Sequence, residues 1–483
     1  MTKLDLLIGG ASSAAQGGAT FARHNPLSSE SVTTAAAATV EDAKRAVESA
    51  QSAFASWSQS GPGERRTKLL KAADLMEARQ AEFIERMVDE TGATPGWAGF
   101  NVMVAAGMLR EAAALTTQIQ GDVIPSNVPD NMAMGVRVPC GVVLGIAPWN
   151  APIILGTRAV ATPLACGNSV ILKASEQCPA THHLIGEVLV EAGLGDGVVN
   201  VITNAPDDAP AVVAALVEHP AVRRVNFTGS TQVGRIIAEK AAKHLKPALL
   251  ELGGKAPFLV LDDADLDAAV DAAIFGAFFN QGQICMSTER LIVDNSVADA
   301  FVEKFAVRAK ALKAGDPRVE GNALGTLINA ASGDKLNALI DDAVSQGARL
   351  AAGGKAEGVV MQATVIDNVT QQMRLYSEES FGPVVAMIRV DGEEEAIRVA
   401  NDSDYGLSAA VFSRDTARAI KVAGRIQSGI CHINAPTVHD EPQMPFGGVK
   451  DSGYGRFGGK AGIEEFTELR WMTLQLGPRH YPI

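Results

Sequence analysis

Between Gly141 and Leu252, five short apolar runs, VVLGIA from residue 142, SVILK from 169, VVNVI from 198, RVNF from 224 and ALLEL from 248, alternate with helical stretches centred near residues 160, 187, 212 and 238. Strands that are apolar on both faces must be covered on both faces, and intervening helices supply that cover. The rhythm predicts an α/β protein built on a doubly wound parallel sheet.

A second α/β rhythm follows Leu252, with PFLVL, a helix from Leu266 to Asn280, RLIVD, a helix from Val297 to Lys313, and strands in VVAMIRV and AAVFS. Upstream, Thr39 caps an amphipathic helix with Ala43, Ala46, Val47, Ala50, Ala53, Phe54 and Trp57 at helical spacing. Helical regions from Arg65 to Thr91 and from Ala98 to Ile119 make the first 120 residues mainly helical in expectation. Between Gly121 and Pro139, prolines interrupt short alternating runs, which reads as a β-ribbon. The closing EEFTELRWMTLQL alternates like a strand able to pair with that ribbon or with another subunit.

Charge narrows the partners. The 55 acids exceed the 42 lysines and arginines, for a net charge of −13, which argues against nucleic acid or an anionic membrane and for a small molecule. No segment reads as a membrane span, and no basic region precedes a long apolar core at the N-terminus, so neither a membrane anchor nor a signal peptide is expected. The cysteines, Cys140, Cys166, Cys178, Cys285 and Cys431, form no CxxC pair, and the histidines show no ligand spacing. Reduced thiols, a cytoplasmic location and no metal are the expectations.

Three residues of chemical interest fall at strand or helix ends. Asn150 follows VVLGIAPW, Glu251 ends a strand ahead of two glycines, and Cys285 follows a helix with Gly282 loosening the backbone before it. The carboxyl edge of a parallel sheet is where such folds place their chemistry. Gly229 to Gly234, GSTQVG, follows the strand RVNF and opens a helix, whose free amides and dipole favour phosphate. The GxGxxG at Gly453, Gly455 and Gly458 follows no buried strand and is set aside.

At these residues the chain resembles the NAD(P)-dependent aldehyde dehydrogenase superfamily. Blocks in the family's order span nearly the whole chain: PWN at 148–150, KASE at 173–176, FTGSTQVG at 227–234, LELGGKAP from 250, GQIC ending at Cys285, EESFGPV from 378 and PFGGVKDSGYGR. The resemblance implies a cofactor domain of residues 1–120 and 140–251, a catalytic domain of 252–462, and an oligomerisation arm of 121–139 and 463–483, with a homodimer or a dimer of dimers. It also implies roles. Cys285 is the nucleophile, Asn150 an oxyanion donor and Glu251 the base that activates water. Trp149, Lys173, Glu176, Gly229, Ser230, Gly234, Glu379 and Phe381 belong to the cofactor site, where the carboxylate of Glu176 favours NAD over NADP.

The segment after Asn150, APIILGTRAV, further resembles the bacterial benzaldehyde, vanillin and salicylaldehyde dehydrogenases. Ala151 stands where many aliphatic-aldehyde relatives carry a bulky aromatic, which leaves room for a ring. An aromatic aldehyde, with salicylaldehyde as leading choice, is therefore expected, against an apolar wall of Ile154, Ile284 and Met286. Ile154 and Arg158 are expected on the helix face lining the route to Cys285. Arg158 reads either as a salt bridge at the helix surface or as a donor to a ring hydroxyl. An aliphatic or semialdehyde dehydrogenase, or a CoA-acylating relative, is the alternative.

Overall fold

The computed structural model describes residues 1–483. The larger sheet has eight strands, and its middle is the predicted parallel set: Ala248–Glu251, Val222–Thr228, Val142–Ile146, Ser169–Lys173 and Val199–Ile202, in that spatial order. The chain runs outward from Val142–Ile146 through Ser169–Lys173 to Val199–Ile202, then returns to lay Val222–Thr228 against the other side of Val142–Ile146. The strand order thus reverses between Val142–Ile146 and Val222–Thr228. In open α/β sheets a crevice opens at such a reversal, beyond the carboxyl ends of the strands. The loop carrying Trp149 and Asn150 and the turn carrying Gly229 and Ser230 both leave from it.

A second sheet of seven strands centres on Ala256–Val260, Thr288–Asp294 and Val384–Val390. All but Arg349–Ala352 run parallel. Only Leu252 to Lys255 separates the first sheet's Ala248–Glu251 from the second's Ala256–Val260. Cys285 precedes Thr288–Asp294, so the thiol stands at the amino edge of the second sheet, opposite the carboxyl edge of the first.

The ribbon and the C-terminal tail form one antiparallel sheet. Thr467–Gln475 pairs along its whole length with Asn131–Pro139, which also pairs with Asp122–Ile124. Thr39 caps the helix Val40–Trp57 in a reciprocal capping box with Asp42. The first 120 residues are mainly helical as expected, with Val40–Trp57, Pro62–Ala78, Gln80–Thr91 and Pro95–Leu115, but five strands of three to six residues, not anticipated from the sequence, lie within Thr2–Ala36. Most of these strands are short and partly exposed with polar residues interspersed, such as Thr20–His24, and the one apolar strand, Leu6–Ile8, is only three residues long. The helical region from 65 to 91 is two helices, Pro62–Ala78 and Gln80–Thr91, broken where Arg79 leaves helical geometry at φ −95° and ψ 18°. The set-aside glycine motif begins with the strand Gly453–Tyr454, which pairs beside Glu251. No helix is long and apolar enough to cross a membrane.

Candidate active site

A cavity of about 230 Å³ lies at the crevice, lined by Pro148, Trp149, Asn150, Leu155, Thr228, Gly229, Ser230, Leu252, Gly253, Cys285, Glu379 and Phe381. It unites residues from both sheets that are up to 233 positions apart in sequence, Pro148 to Phe381.

The thiol loop is an unusual backbone held by amides. Asn280, Gln281 and Gly282 adopt φ of 48°, 54° and 68° in succession, a left-handed run that costs side-chain-bearing residues energy and persists only when its surroundings fix it. Gln281 and Gln283 both donate to the Thr326 carbonyl, at 3.1 and 3.3 Å, and Gln283 accepts the Ile328 amide at 3.1 Å. A Cβ at Gly282 would lie 2.2 Å from the Gly382 carbonyl, so only glycine fits there. Burial, with Glu251 and Glu379 nearby, pushes the Cys285 thiol up to about 12.

Asn150 is buried, and its side-chain amide donates to the Gln283 carbonyl at 3.0 Å. Its own carbonyl accepts Trp97 Nε1 at 2.9 Å and Asn280 Nδ2 at 3.0 Å. Trp97 in turn stacks on Phe100 at 5.5 Å and meets Phe279 edge-on at 4.8 Å. Sequence reasoning missed Trp97, which lies in an ordinary helix, and missed the clamp of Asn280, for which the glycine after Gln281 was the available signal.

Glu251 lies just behind the cavity wall. It is 2% exposed, and neither carboxyl oxygen has a partner at ordinary hydrogen-bond geometry, although the Gly448 amide lies close enough to favour the ionised form. Burial drives its pKa well above the carboxylate range against the opposing influence of Arg158 and Arg456. The carboxyl lies against the Gly447 backbone, where a Cβ would come within 2.7 Å of Oε1.

Of the predicted cofactor residues, Trp149, Gly229, Ser230, Glu379 and Phe381 meet at the cavity. Ser230 caps the helix Thr231–Lys243, and Gly229 donates its amide to the Glu251 carbonyl at 3.0 Å. Gly234 does not reach the cavity; it lets this helix close on Leu252, whose Cδ2 would be 2.4 Å from a Cβ there. Lys173 and Glu176 form an ion pair at the end of their own strand, and Asn204 donates to the same carboxylate at 2.9 Å. Phe381 meets Trp149 edge-on at 5.7 Å, and Glu379 accepts the Gly254 amide at 2.7 Å. Burial, with Glu289 adding to it, raises Glu379 to about 7.

The predicted substrate residues do not line this cavity. Ala151, Ile154, Ile284 and Met286 belong to one apolar cluster that includes Trp97, with Phe279 and Cys285 packed at its margin. On the almost wholly buried helix Pro152–Ala165, Leu155 lines the cavity while Ile154 packs in the apolar cluster. Arg158 forms a salt bridge with Asp440 at 2.5 Å, but in the interior rather than at the helix surface, with both side chains under a tenth exposed. Its guanidinium also lies over the Phe446 ring at 4.2 Å.

Residues 13–472 match the aldehyde dehydrogenase family. The chain is 65% identical over all 483 residues to a vanillin dehydrogenase of Pseudomonas fluorescens, covering 100% of both chains. It is 53% identical over 464 residues, 96% of each chain, to a salicylaldehyde dehydrogenase of Pseudomonas putida. A crystal structure of a salicylaldehyde dehydrogenase from Pseudomonas putida, complexed with salicylaldehyde, superposes with a TM-score of 0.99 at 50% identity over 100% of both chains. A thiol, an amide donor and a buried acid at one crevice, in a chain matched almost end to end, place this protein in the aldehyde dehydrogenase family as an enzyme acting on aldehydes.

Proposed function

We propose that the protein oxidises an aromatic aldehyde, a hydroxybenzaldehyde, to its carboxylic acid, with NAD as oxidant. The observation that carries this reading is the meeting of Cys285 and Asn150 with Glu379, Phe381 and Ser230 on one cavity. The residues fit a dinucleotide. Ser230 and Gly229 sit at the amino end of a 13-residue helix, suited to a pyrophosphate. Glu379 offers a carboxylate for a ribose, and Gly253 leaves it room, since a Cβ there would lie 2.8 Å from Glu379 Oε2. Lys173 and Glu176 would hold the adenosine ribose. The bound cofactor supplies the hydride acceptor.

In the proposed mechanism Cys285, as thiolate, adds to the aldehyde carbon. The amide of Asn150, already fixed by Gln283, donates its second hydrogen to the developing oxyanion together with the Cys285 backbone amide. After hydride leaves, the acyl group is a thioester on Cys285. Glu251 then takes a proton from water, the hydroxide displaces the thiolate, and the acid departs. An acid at this position favours hydrolysis over transfer to CoA.

The substrate class is supported by Ala151, by the Trp97, Phe100 and Phe279 rings near the thiol loop, and by the relatives' specificities. Residues 1–120 and 140–251 would form the cofactor domain and 252–462 the catalytic domain. The sheet of 122–124, 131–139 and 467–475 exposes Val123, Leu469, Trp471 and Leu474, which suits an arm that pairs subunits. Five unpaired thiols suit a reducing cytoplasm. The test is kcat/KM for benzaldehyde, salicylaldehyde, vanillin and acetaldehyde with NAD, in wild type and in Ala151→Phe. Ring substrates should lead in the wild type and fall far more than acetaldehyde in the variant. Preference for acetaldehyde, or an equal fall for both classes, would overturn the aromatic reading.

A further inference from the structure

Four residues beyond the thiol, Glu289 is buried at 4% exposure and is bonded throughout. Its Oε1 accepts the backbone amides of Ser380 and Phe381, each at 3.0 Å. Its Oε2 accepts the Ser380 amide at 2.9 Å, the Ser380 hydroxyl at 2.7 Å and the Lys255 ammonium at 2.5 Å. Lys255 has a fully buried side chain and comes from the short link between the two sheets. Such a pair is poorly explained by stability alone, because apolar residues of similar volume commonly do as well.

What the pair holds is a turn whose two flanking side chains enter the cavity. Glu379 precedes Ser380 and Phe381 follows it, and both line the space beside Cys285. Phe381 has a φ of 55°, left-handed for a residue with a bulky side chain. The bond from its amide to Glu289 fixes that backbone, and the ring is thereby aimed at Trp149, 5.7 Å away. Glu289 is the second residue of the strand Thr288–Asp294 that follows the thiol, so one carboxylate links the nucleophile's segment to the Glu379–Phe381 turn.

We infer that Glu289 is a positioning residue for the cofactor, tying the Glu379–Phe381 turn to the thiol's strand so that the carboxylate and ring that meet the nicotinamide end stay in register with Cys285. This rests on the reading of Glu379 and Phe381 as cofactor residues. A glutamine at 289 offers one carbonyl oxygen where the carboxylate offers two, and turns an NH2 toward Lys255 and the Ser380 donors. At least one donor then loses its partner and the turn relaxes. The loss should fall on NAD binding and spare thiol chemistry that needs no cofactor.

The test compares full-length wild type, Glu289→Gln and Ser380→Ala in two measurements. One is the NAD dissociation constant from quenching of tryptophan fluorescence, and the other is hydrolysis of p-nitrophenyl acetate, an activated ester that requires a thiol nucleophile but no NAD. The NAD constant should weaken about tenfold in Glu289→Gln and about threefold in Ser380→Ala, as expected for losing charge-assisted hydrogen bonds. Ester hydrolysis should stay within about twofold of wild type in both. Should Glu289→Gln fail to fold, Ser380→Ala, which removes one hydroxyl, decides the matter. Unchanged NAD affinity in the variants, or ester hydrolysis falling in parallel with it, would overturn the inference. Failure of the wild type to bind NAD would instead remove the cofactor reading on which it stands.

Discussion

Asn150 donates its side-chain amide to the carbonyl of Gln283 at 3.0 Å, two residues before Cys285. The proposed oxyanion donor and the loop of the proposed nucleophile are therefore one hydrogen-bonded unit, although Asn150 and Gln283 lie 133 positions apart. The bonds from Trp97 and Asn280 end on the backbone carbonyl of Asn150, so they survive a change of its side chain. Asn150→Ala should keep its melting temperature near wild type and lower kcat by about 10²- to 10³-fold, the usual effect of removing one such donor. A kcat within a few-fold of wild type would reject the role.

Glu251→Gln should separate the two halves of the reaction. Hydride transfer precedes the water step, so the variant should give a burst of NADH near one equivalent per site and then stall. Because the wild-type carboxyl is buried with no partner at ordinary hydrogen-bond geometry, and the amide keeps an oxygen for the nearby Gly448 amide, a neutral amide replaces it with little loss of stability. Loss of the burst along with turnover would move Glu251 to an earlier role.

The free enzyme should hold its thiol protonated at neutral pH. Burial, with Glu251 and Glu379 alongside, pushes Cys285 up to about 12. Only the thiolate is alkylated, so labelling of Cys285 by iodoacetamide should rise about tenfold per pH unit between about pH 7 and about pH 9. A plateau below pH 8 would show a thiolate already formed without cofactor.

The parts legible in the sequence are those set by local pattern. The apolar runs between Gly141 and Leu252 are buried on both faces, so their period located the parallel strands, and the strand ends located Asn150, Gly229 and Glu251. The parts that were not legible depend on distant partners. Arg158 could not be assigned until Asp440, 282 positions away, was seen to neutralise it. Glu289 looks like any solvated acid until Lys255 and the Ser380 turn enclose it. Leu155 drew no notice because a helix buried on nearly every side has no polar face to single out the residue that lines a cavity.

Glu176 and Lys173 set a charge test of cofactor choice. With the carboxylate held by Lys173 and Asn204, a 2′-phosphate on the adenosine ribose would meet a negative group. Wild-type kcat/KM should be higher with NAD than with NADP, and Glu176→Gln should narrow the ratio by about tenfold, the effect of about 1.4 kcal/mol of repulsion removed. Equal efficiency with both cofactors in the wild type would show that Glu176 points away from the ribose.

Arg158 and Asp440 act on Glu251 in opposite senses, which allows the proposed base to be tuned in either direction. Burial is the largest influence and raises the Glu251 pKa; Arg158 lowers it and Asp440 raises it. Glu251 accepts a proton only when ionised, so thioester hydrolysis should increase with pH through that pKa. Asp440→Asn leaves the Arg158 cation uncompensated, stabilises the Glu251 carboxylate and should move the rising limb of the kcat profile to lower pH. Arg158→Met removes the stabilising cation and should move it to higher pH. Each change strands one charge of a buried pair and should cost about 3 to 5 kcal/mol of stability, so both variants melt early and the loss of stability cannot distinguish them. The direction of the pH shift can. Profiles that move the same way in both variants would show that the pair acts on Glu251 through packing rather than charge.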